Sequence, residues 1–313
     1  MSYTTKIKDE IITIKGTKSE TIALLSGFVR NNGYINNNVL HLTTENEKIA
    51  DIIIDYFKNI YEINLKKEIK DNVNFSKKDL YLLSLTEKQD FILKDLGYLD
   101  DNGNYLDTPP EYIVGANEEI RSYLRGVFLC SGSINDPKTS RYHMELLINN
   151  PTEAVFVQKL LNVFLLNIKL LTRDKGYMLY IKEAEKISDY LKIIGANNAV
   201  MYFENVRIYR DKKNQANRLN NCEQANIDKV VASATSQIKQ IEIIEENLGV
   251  SLLDDKTKEA LEYRKKYPEA SLKELSEIIS IETGKPITKS GLNHRFRKIK
   301  DLAMKFEKNK NVE

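Results

Sequence analysis

The sequence predicts an α+β fold built from two similar halves, followed by an all-α module, and three observations predict it. A nonapeptide occurs twice: residues 25–33 read LSGFVRNNG and residues 124–132 read LRGVFLCSG, both Leu-x-Gly-apolar-apolar-x-x-x-Gly. Each copy leads into strand-like and helix-like stretches in the same order. From about residue 222 onward strand patterning stops, and apolar residues recur only at helical spacing.

In each half the expected order is helix, two strands, helix, two strands, helix. Tyr34–Thr43 and Ser133–Ile148 read as hairpins, the second marked by alternation of Tyr142, Met144, Leu146 and Ile148. Amphipathic helices follow at about Glu45–Lys58 and about Thr152–Leu166. The next strand pair is clear in the second copy: Ile168–Thr172, a turn at Asp174, Lys175 and Gly176, then Tyr177–Ile181 and a helix near Ala184–Ile194. The first copy is less regular, and Ser76–Tyr112 reads as a helical insertion and connector ended by Pro109 and Pro110. Gly33 and Gly132 fall where a left-handed cap would close each nonapeptide helix.

The all-α module begins with Glu223–Asn247, whose Ile227, Val230, Val231, Ala234, Ile238, Ile241 and Ile244 make one stripe. Lys256–Tyr267 forms a second helix that stops before Pro268. Ser271 and Glu274 compose a capping box for a third, striped by Leu272, Leu275, Ile278 and Ile279 and broken by Gly284 and Pro286. Thr288 caps a fourth, in which Leu292, Phe296, Ile299, Ala303 and Phe306 share the inner face. The expected boundaries are 1–205 for the α+β part (halves about 1–105 and 113–205), 206–221 for a basic linker, and 222–313 for the helical module.

Charge is informative only locally. The 313 residues carry a formal net charge of +2, yet Lys285–Lys300, KPITKSGLNHRFRKIK, contains no acid at all. Two helices joined by a short Gly/Pro turn, the second basic and amphipathic, form the helix-turn-helix pattern, whose second helix enters the major groove of double-stranded DNA. The candidate contacts there are Thr288, Lys289, Ser290, Asn293, His294, Arg295, Arg297, Lys298 and Lys300. Asn pairs bidentately with adenine, and Arg or Lys with guanine; the later lysines reach phosphate. Arg207, Arg210, Lys212, Lys213 and Arg218 offer further phosphate contacts from the linker.

Other classes find little support. His41, His143 and His294 have no partner at metal-ligand spacing, no glycine-rich phosphate loop is present, and Cys130 reads as a packing residue. No cofactor and no metal is therefore expected. The run Val163–Leu171 is too short and too interrupted for a bilayer. Two cysteines and the absence of a secretory signal agree with a reducing cytoplasm, and a nucleoid location follows from DNA binding.

The two nonapeptides resemble degenerate LAGLIDADG helices of homing endonucleases. With RGVFLCSGSINDPKTSRYHMEL (125–146), NCEQANIDKVVASATSQI (221–238) and SLKELSEIISIETGKPITKSGLNHRFRKI (271–299), nearly the whole chain is similar to the WhiA family of bacterial DNA-binding regulators. The resemblance implies transcriptional regulation tied to cell division, chromosome segregation and, in spore-forming lineages, sporulation. The helices of LAGLIDADG homing endonucleases pack side by side through small residues, so the resemblance implies the same packing here through Ser26, Gly27, Gly126 and Ser131. Cleaving enzymes of the LAGLIDADG group carry a metal-holding acid at the eighth nonapeptide position. Here those positions are Asn32 and Ser131, both neutral, so no catalysis is expected. Two alternatives stand beside this reading: an active homing endonuclease, and a protein-interaction scaffold docking on another regulator or RNA polymerase.

Overall fold

A computed structural model describes residues 1–70, 79–139, 141–174 and 176–310. The chain divides into two compact units, Met1–Arg210 and Asp211–Glu313.

The first unit opens with α1 (Tyr3–Ile11) and α2 (Lys18–Asn32), the helix that carries the first nonapeptide. There follow β1 (Tyr34–Asn36), β2 (Val39–Thr44), α3 (Glu47–Tyr61), β3 (Lys66–Lys70) and β4 (Leu80–Leu85). Short helices α4 (Gln89–Asp95) and α5 (Glu111–Val114) lead to α6 (Asn117–Ser131), which carries the second nonapeptide. The second half repeats the scheme with β5 (Gly132–Ile134), β6 (Met144–Ile148), α7 (Pro151–Val163), β7 (Lys169–Arg173), β8 (Gly176–Ile181) and α8 (Ala184–Ile193). Both halves form a four-stranded antiparallel sheet of the same order, β1-β2-β4-β3 and β5-β6-β8-β7. The repeat seen in nine residues therefore extends to the whole topology.

The halves meet where α2 and α6 lie side by side. A methyl group on Gly27 would run into the carbonyl oxygen of Tyr123, and one on Gly126 into that of Leu24. Backbones this close exclude any side chain. The surrounding Leu25, Phe28, Tyr123, Leu124 and Phe128 are fully buried and form the centre of the core. Each such side chain removed from water contributes roughly 1.5–3 kcal/mol.

Two expectations need correction here. Gly33 (φ −71°, ψ 142°) and Gly132 (φ −83°, ψ 143°) are extended, not left-handed. Space, not backbone freedom, selects glycine: a Cβ on Gly33 would sit 2.7 Å from the Val29 carbonyl oxygen, and one on Gly132 would enter the Phe128 ring. The expected helical insertion Ser76–Tyr112 contains instead the strand β4, with only α4 and α5 helical beyond it; Ser76, Lys77 and Lys78 lie outside the described residues. Strand β4 is central, and Tyr81 to Leu85 are all buried, so its sequence shows no alternation. Lys175 of the expected turn also lies outside the described residues.

Residues 206–221 fall within α9 (Asn197–Asn247), as does the helix expected at Glu223–Asn247. In the second unit a turn of 3₁₀ helix at Val250–Leu252 leads to α10 (Asp255–Lys266), α11 (Leu272–Thr283) and α12 (Lys289–Lys310). Its core joins Ile241 and Ile244 of α9 to Ala260 and Leu261, Leu275 and Ile279, and Leu292, Phe296, Ile299 and Ala303. The expected stripe on α9 is split. Ala234, Ile241 and Ile244 are buried, but Ile227 and Val231 are 56% and 52% exposed.

Candidate nucleic-acid interface

Helices α11 and α12 are fixed by local chemistry. The Ser271 hydroxyl accepts from the Glu274 amide at 3.2 Å while the Glu274 carboxylate accepts from the Ser271 amide at 2.7 Å, closing the capping box. These bonds hold the Glu274 carboxyl below its usual range. Gly284 ends α11 in the left-handed region at φ 67°. The turn is then tied back by Ser280, whose hydroxyl accepts from the Ile287 amide at 2.9 Å. Thr288 caps α12 by accepting from the Gly291 amide at 3.1 Å. Beneath, the buried Arg264 donates to the Ala270 carbonyl at 2.6 Å and lies under the Phe296 ring. Burial lowers its guanidinium pKa. The chain does not advertise this role, because Arg264 stands in a basic run, Arg264-Lys265-Lys266, that reads as a solvated helix end.

The outer face of α12 follows from its inner one. With Leu292, Phe296, Ile299 and Ala303 buried, Lys289, Arg297 and Lys300 stand exposed, and Asn293 among them is half-buried. Thr288, Ser290 and His294 are exposed as well. None of Lys289, Arg297 and Lys300 has an ion-pair partner among the described residues. Phe306, expected on the inner face, is half-buried.

Two of the expected contacts are engaged within the unit. Arg295 turns toward α10, donating to Glu259 at 2.5 Å and to the Lys256 carbonyl at 3.0 Å, with its side chain 17% exposed. Lys298 lies 3.9 Å from Asp254, whose carboxyl is held low mainly by the Thr257 hydroxyl. A similar division runs along the basic stretch of α9. Arg207 pairs with Glu185 at 2.7 Å and Glu204 at 3.3 Å, and Arg210 donates to the carbonyls of Pro137 and Thr139, both at 2.7 Å, while lying over the Tyr142 ring. Lys212, Lys213 and Arg218 are exposed.

At the nonapeptide ends the polar side chains face inward. Asn32 donates to the Thr43 carbonyl at 2.7 Å and accepts from the Thr43 amide at 2.6 Å. The Ser131 hydroxyl donates to the Val127 carbonyl at 2.9 Å, one turn back in its own helix. Neither residue is a carboxylate, and no group of three or more His, Cys, Asp or Glu side chains among the described residues could hold a metal. His41 bonds Ser84 at 2.9 Å and His143 bonds Glu145 at 3.0 Å. Burial pushes the Cys130 thiol up to about 12, which leaves it inert as a nucleophile. No helix among the described residues is long and apolar enough to cross a membrane.

Comparison with known proteins accounts for almost the whole chain. Residues 18–99 match the family model of the WhiA N-terminal LAGLIDADG-like domain, residues 120–213 that of the WhiA LAGLIDADG-like domain, and residues 216–303 that of the WhiA C-terminal HTH domain. Relatives named "Probable cell division protein WhiA" in Staphylococcus aureus strains JH9 and Newman are each 39% identical over 317 residues, covering 100% of both chains. The crystal structure of full-length DUF199/WhiA from Thermatoga maritima superposes with a TM-score of 0.56 at 22% identity, covering 98% of each chain. That of an N-terminal LAGLIDADG domain of DUF199/WhiA gives 0.50 at 19% identity, over 61% of this chain and 89% of that one.

Proposed function

The chain belongs to the WhiA family, and from that premise we propose that it is a non-catalytic, sequence-specific DNA-binding regulator of cell division. Its partner is duplex DNA, gripped by α12 in the major groove. One observation carries this reading: the exposed side of α12 presents Lys289, Asn293, Arg297 and Lys300 at the start of a helix whose first acid is Asp301. Lysine and arginine without acidic neighbours release counterions from phosphate, and Arg297 with Asn293 has the donor geometry that reads base edges. Lys212, Lys213 and Arg218 add phosphate contacts. Control of transcription in chromosome segregation and sporulation, and residence at the nucleoid, belong to the same proposal.

The absence of cleavage rests on Asn32 and Ser131, whose neutral side chains are spent on backbone groups. Supercoiled plasmid incubated with the protein and Mg²⁺ or Mn²⁺ should stay intact; metal-dependent nicking would refute this part. Binding itself is tested by fluorescence anisotropy on duplex DNA across a salt series. Affinity should fall steeply with salt, and a protein with Lys289, Arg297 and Lys300 all replaced by alanine should lose most of that slope. A flat salt response in the unaltered protein would rule the reading out.

A second reading, docking on another regulator or RNA polymerase, has its own observation. Ile227, Val230, Val231 and Ile238 of α9, with Pro268, border a cavity of about 730 Å³ within the second unit. An apolar contact there and a DNA contact on α12 use different surfaces, so the two are compatible.

A further inference from the structure

The first unit contains a buried carboxylate that the DNA-binding reading does not use. Glu153, on the first turn of α7, is 2% exposed. Its Oε1 accepts from the Tyr123 hydroxyl at 2.5 Å and from the Asn31 amide at 3.2 Å. Among the described residues its Oε2 has no hydrogen-bond partner, and neither does the buried Oδ1 of Asn31. Burial raises the Glu153 pKa, opposed by the Tyr123 hydroxyl and by Arg30. A buried carboxylate with an unmet oxygen is costly unless something compensates it.

Glu153 lines a cavity of about 310 Å³, at the lower end of the range for small-molecule sites. The lining also holds Tyr98 and Tyr105, set edge to face at 5.6 Å, Asn150 and the exposed Asp107. Arg30 is the one cation in the lining among the described residues. Its two terminal nitrogens already donate to the carbonyls of Leu106 and Gly97, and its guanidinium covers the Tyr98 ring. The cavity thus has an excess of acceptors: two carboxylates, an adjacent amide oxygen and two aromatic rings. Arg30 Nε is a buried donor with no partner among the described residues, but two carboxylates face this single guanidinium, so an N–H-bearing cation meets both charge and ring faces.

We infer that this cavity is a binding site for a small organic cation, a primary ammonium or guanidinium, whose N–H groups satisfy Glu153 while its body lies against Tyr98 and Tyr105. The ligand would touch residues from both halves, since Arg30, Asn31, Tyr98 and Asp107 come from the first and Glu153 from the second. The inference is independent of DNA binding and is tested apart from it.

Isothermal titration calorimetry of the full-length protein with agmatine and with putrescine, against glutarate as an anion of similar length, provides the test. The cations should bind and glutarate should not. Glu153→Gln keeps the shape but removes the charge, and should weaken agmatine about tenfold or more, equivalent to about 1.4 kcal/mol. Should Glu153→Gln not fold, Asp107→Asn at the exposed rim asks the same question with a smaller loss expected. Tyr123→Phe separates ligand binding from structure: it removes a donor to Oε1 only, so cation binding should persist even if stability drops. No heat with either cation, binding of glutarate instead, or unchanged agmatine affinity in the folded charge-removing variant would each overturn the inference.

Discussion

The ends of α2 and α6 and the start of α12 are both helix termini rich in polar residues, and they use them in opposite ways. At the nonapeptide ends Asn32 and Ser131 satisfy backbone groups of their own unit. On α12 the comparable residues Lys289, Arg297 and Lys300 point outward, and the inward bonding is left to its cap Thr288 and to Arg295. A polar residue near a helix end says little about function until its hydrogen-bond partners are known. A site for a ligand is one where those partners are missing.

The contrast can be tested by breaking each region at its own weak point. Phe296→Ala should have the largest effect: it empties the centre of the second core and should cost about 3–5 kcal/mol. Circular dichroism during urea unfolding should then show an early transition for the helical unit, with the transition of the first unit unmoved. Loss of both together would mean that the units do not unfold separately. Gly126→Ala acts on the other region. Its methyl group meets the Leu24 carbonyl, a backbone atom that cannot rotate away, and should destabilise the first unit by about 1–3 kcal/mol. DNA affinity, measured at a urea-free, low temperature, should be unchanged by it.

Binding variants sharpen the comparison within α12 itself. Arg297→Ala should lower affinity for a specific duplex by about 1–3 kcal/mol. Arg295→Ala, two residues away, should leave anisotropy titrations nearly unaltered and instead cost about 1 kcal/mol of stability, because Arg295 braces α10 through Glu259. If the two variants behave alike, the exposed side of α12 has been misassigned. Lys300→Ala should be the mildest, weakening all sequences alike and reducing the salt slope by about one.

What the sequence revealed depended on periodicity. Leu292, Phe296, Ile299 and Ala303 are spaced for one face of a helix, and all four are buried as expected. The Ser271–Glu274 box was equally readable, since both its bonds lie within four residues. Strand β4 was not, because a strand covered on both faces loses the alternation that identifies one. Gly33 and Gly132 were placed correctly at helix ends but for the wrong reason: a glycine spared a clash and a glycine with positive φ look identical in sequence. The basic stretch 206–221 contains neither Pro nor Gly, and that lack of a breaker was a better guide to α9 than its charge. Arg295 and Arg297 differ only in which side of the helix they occupy. Glu153 follows Asn150 and Pro151 at the third position of a helix, where a glutamate reads as an ordinary capping residue, so its burial left no trace in the sequence.

The two-pronged hold of Asn32 on Thr43 could not be made by an acid in its place. An amide grips a peptide group with a donor and an acceptor, and aspartate has no donor to offer. An aspartate at position 32 would set a negative oxygen against the Thr43 carbonyl at the place where 2.7 Å now separates donor from acceptor. Strand β2, which carries Thr43, would have to give way before the carboxylate could turn to any other partner. In both halves the side chain at the eighth nonapeptide position is tied to backbone, Asn32 to Thr43 and Ser131 to Val127, so a carboxylate placed at either would first have to displace a bond that its own fold now uses.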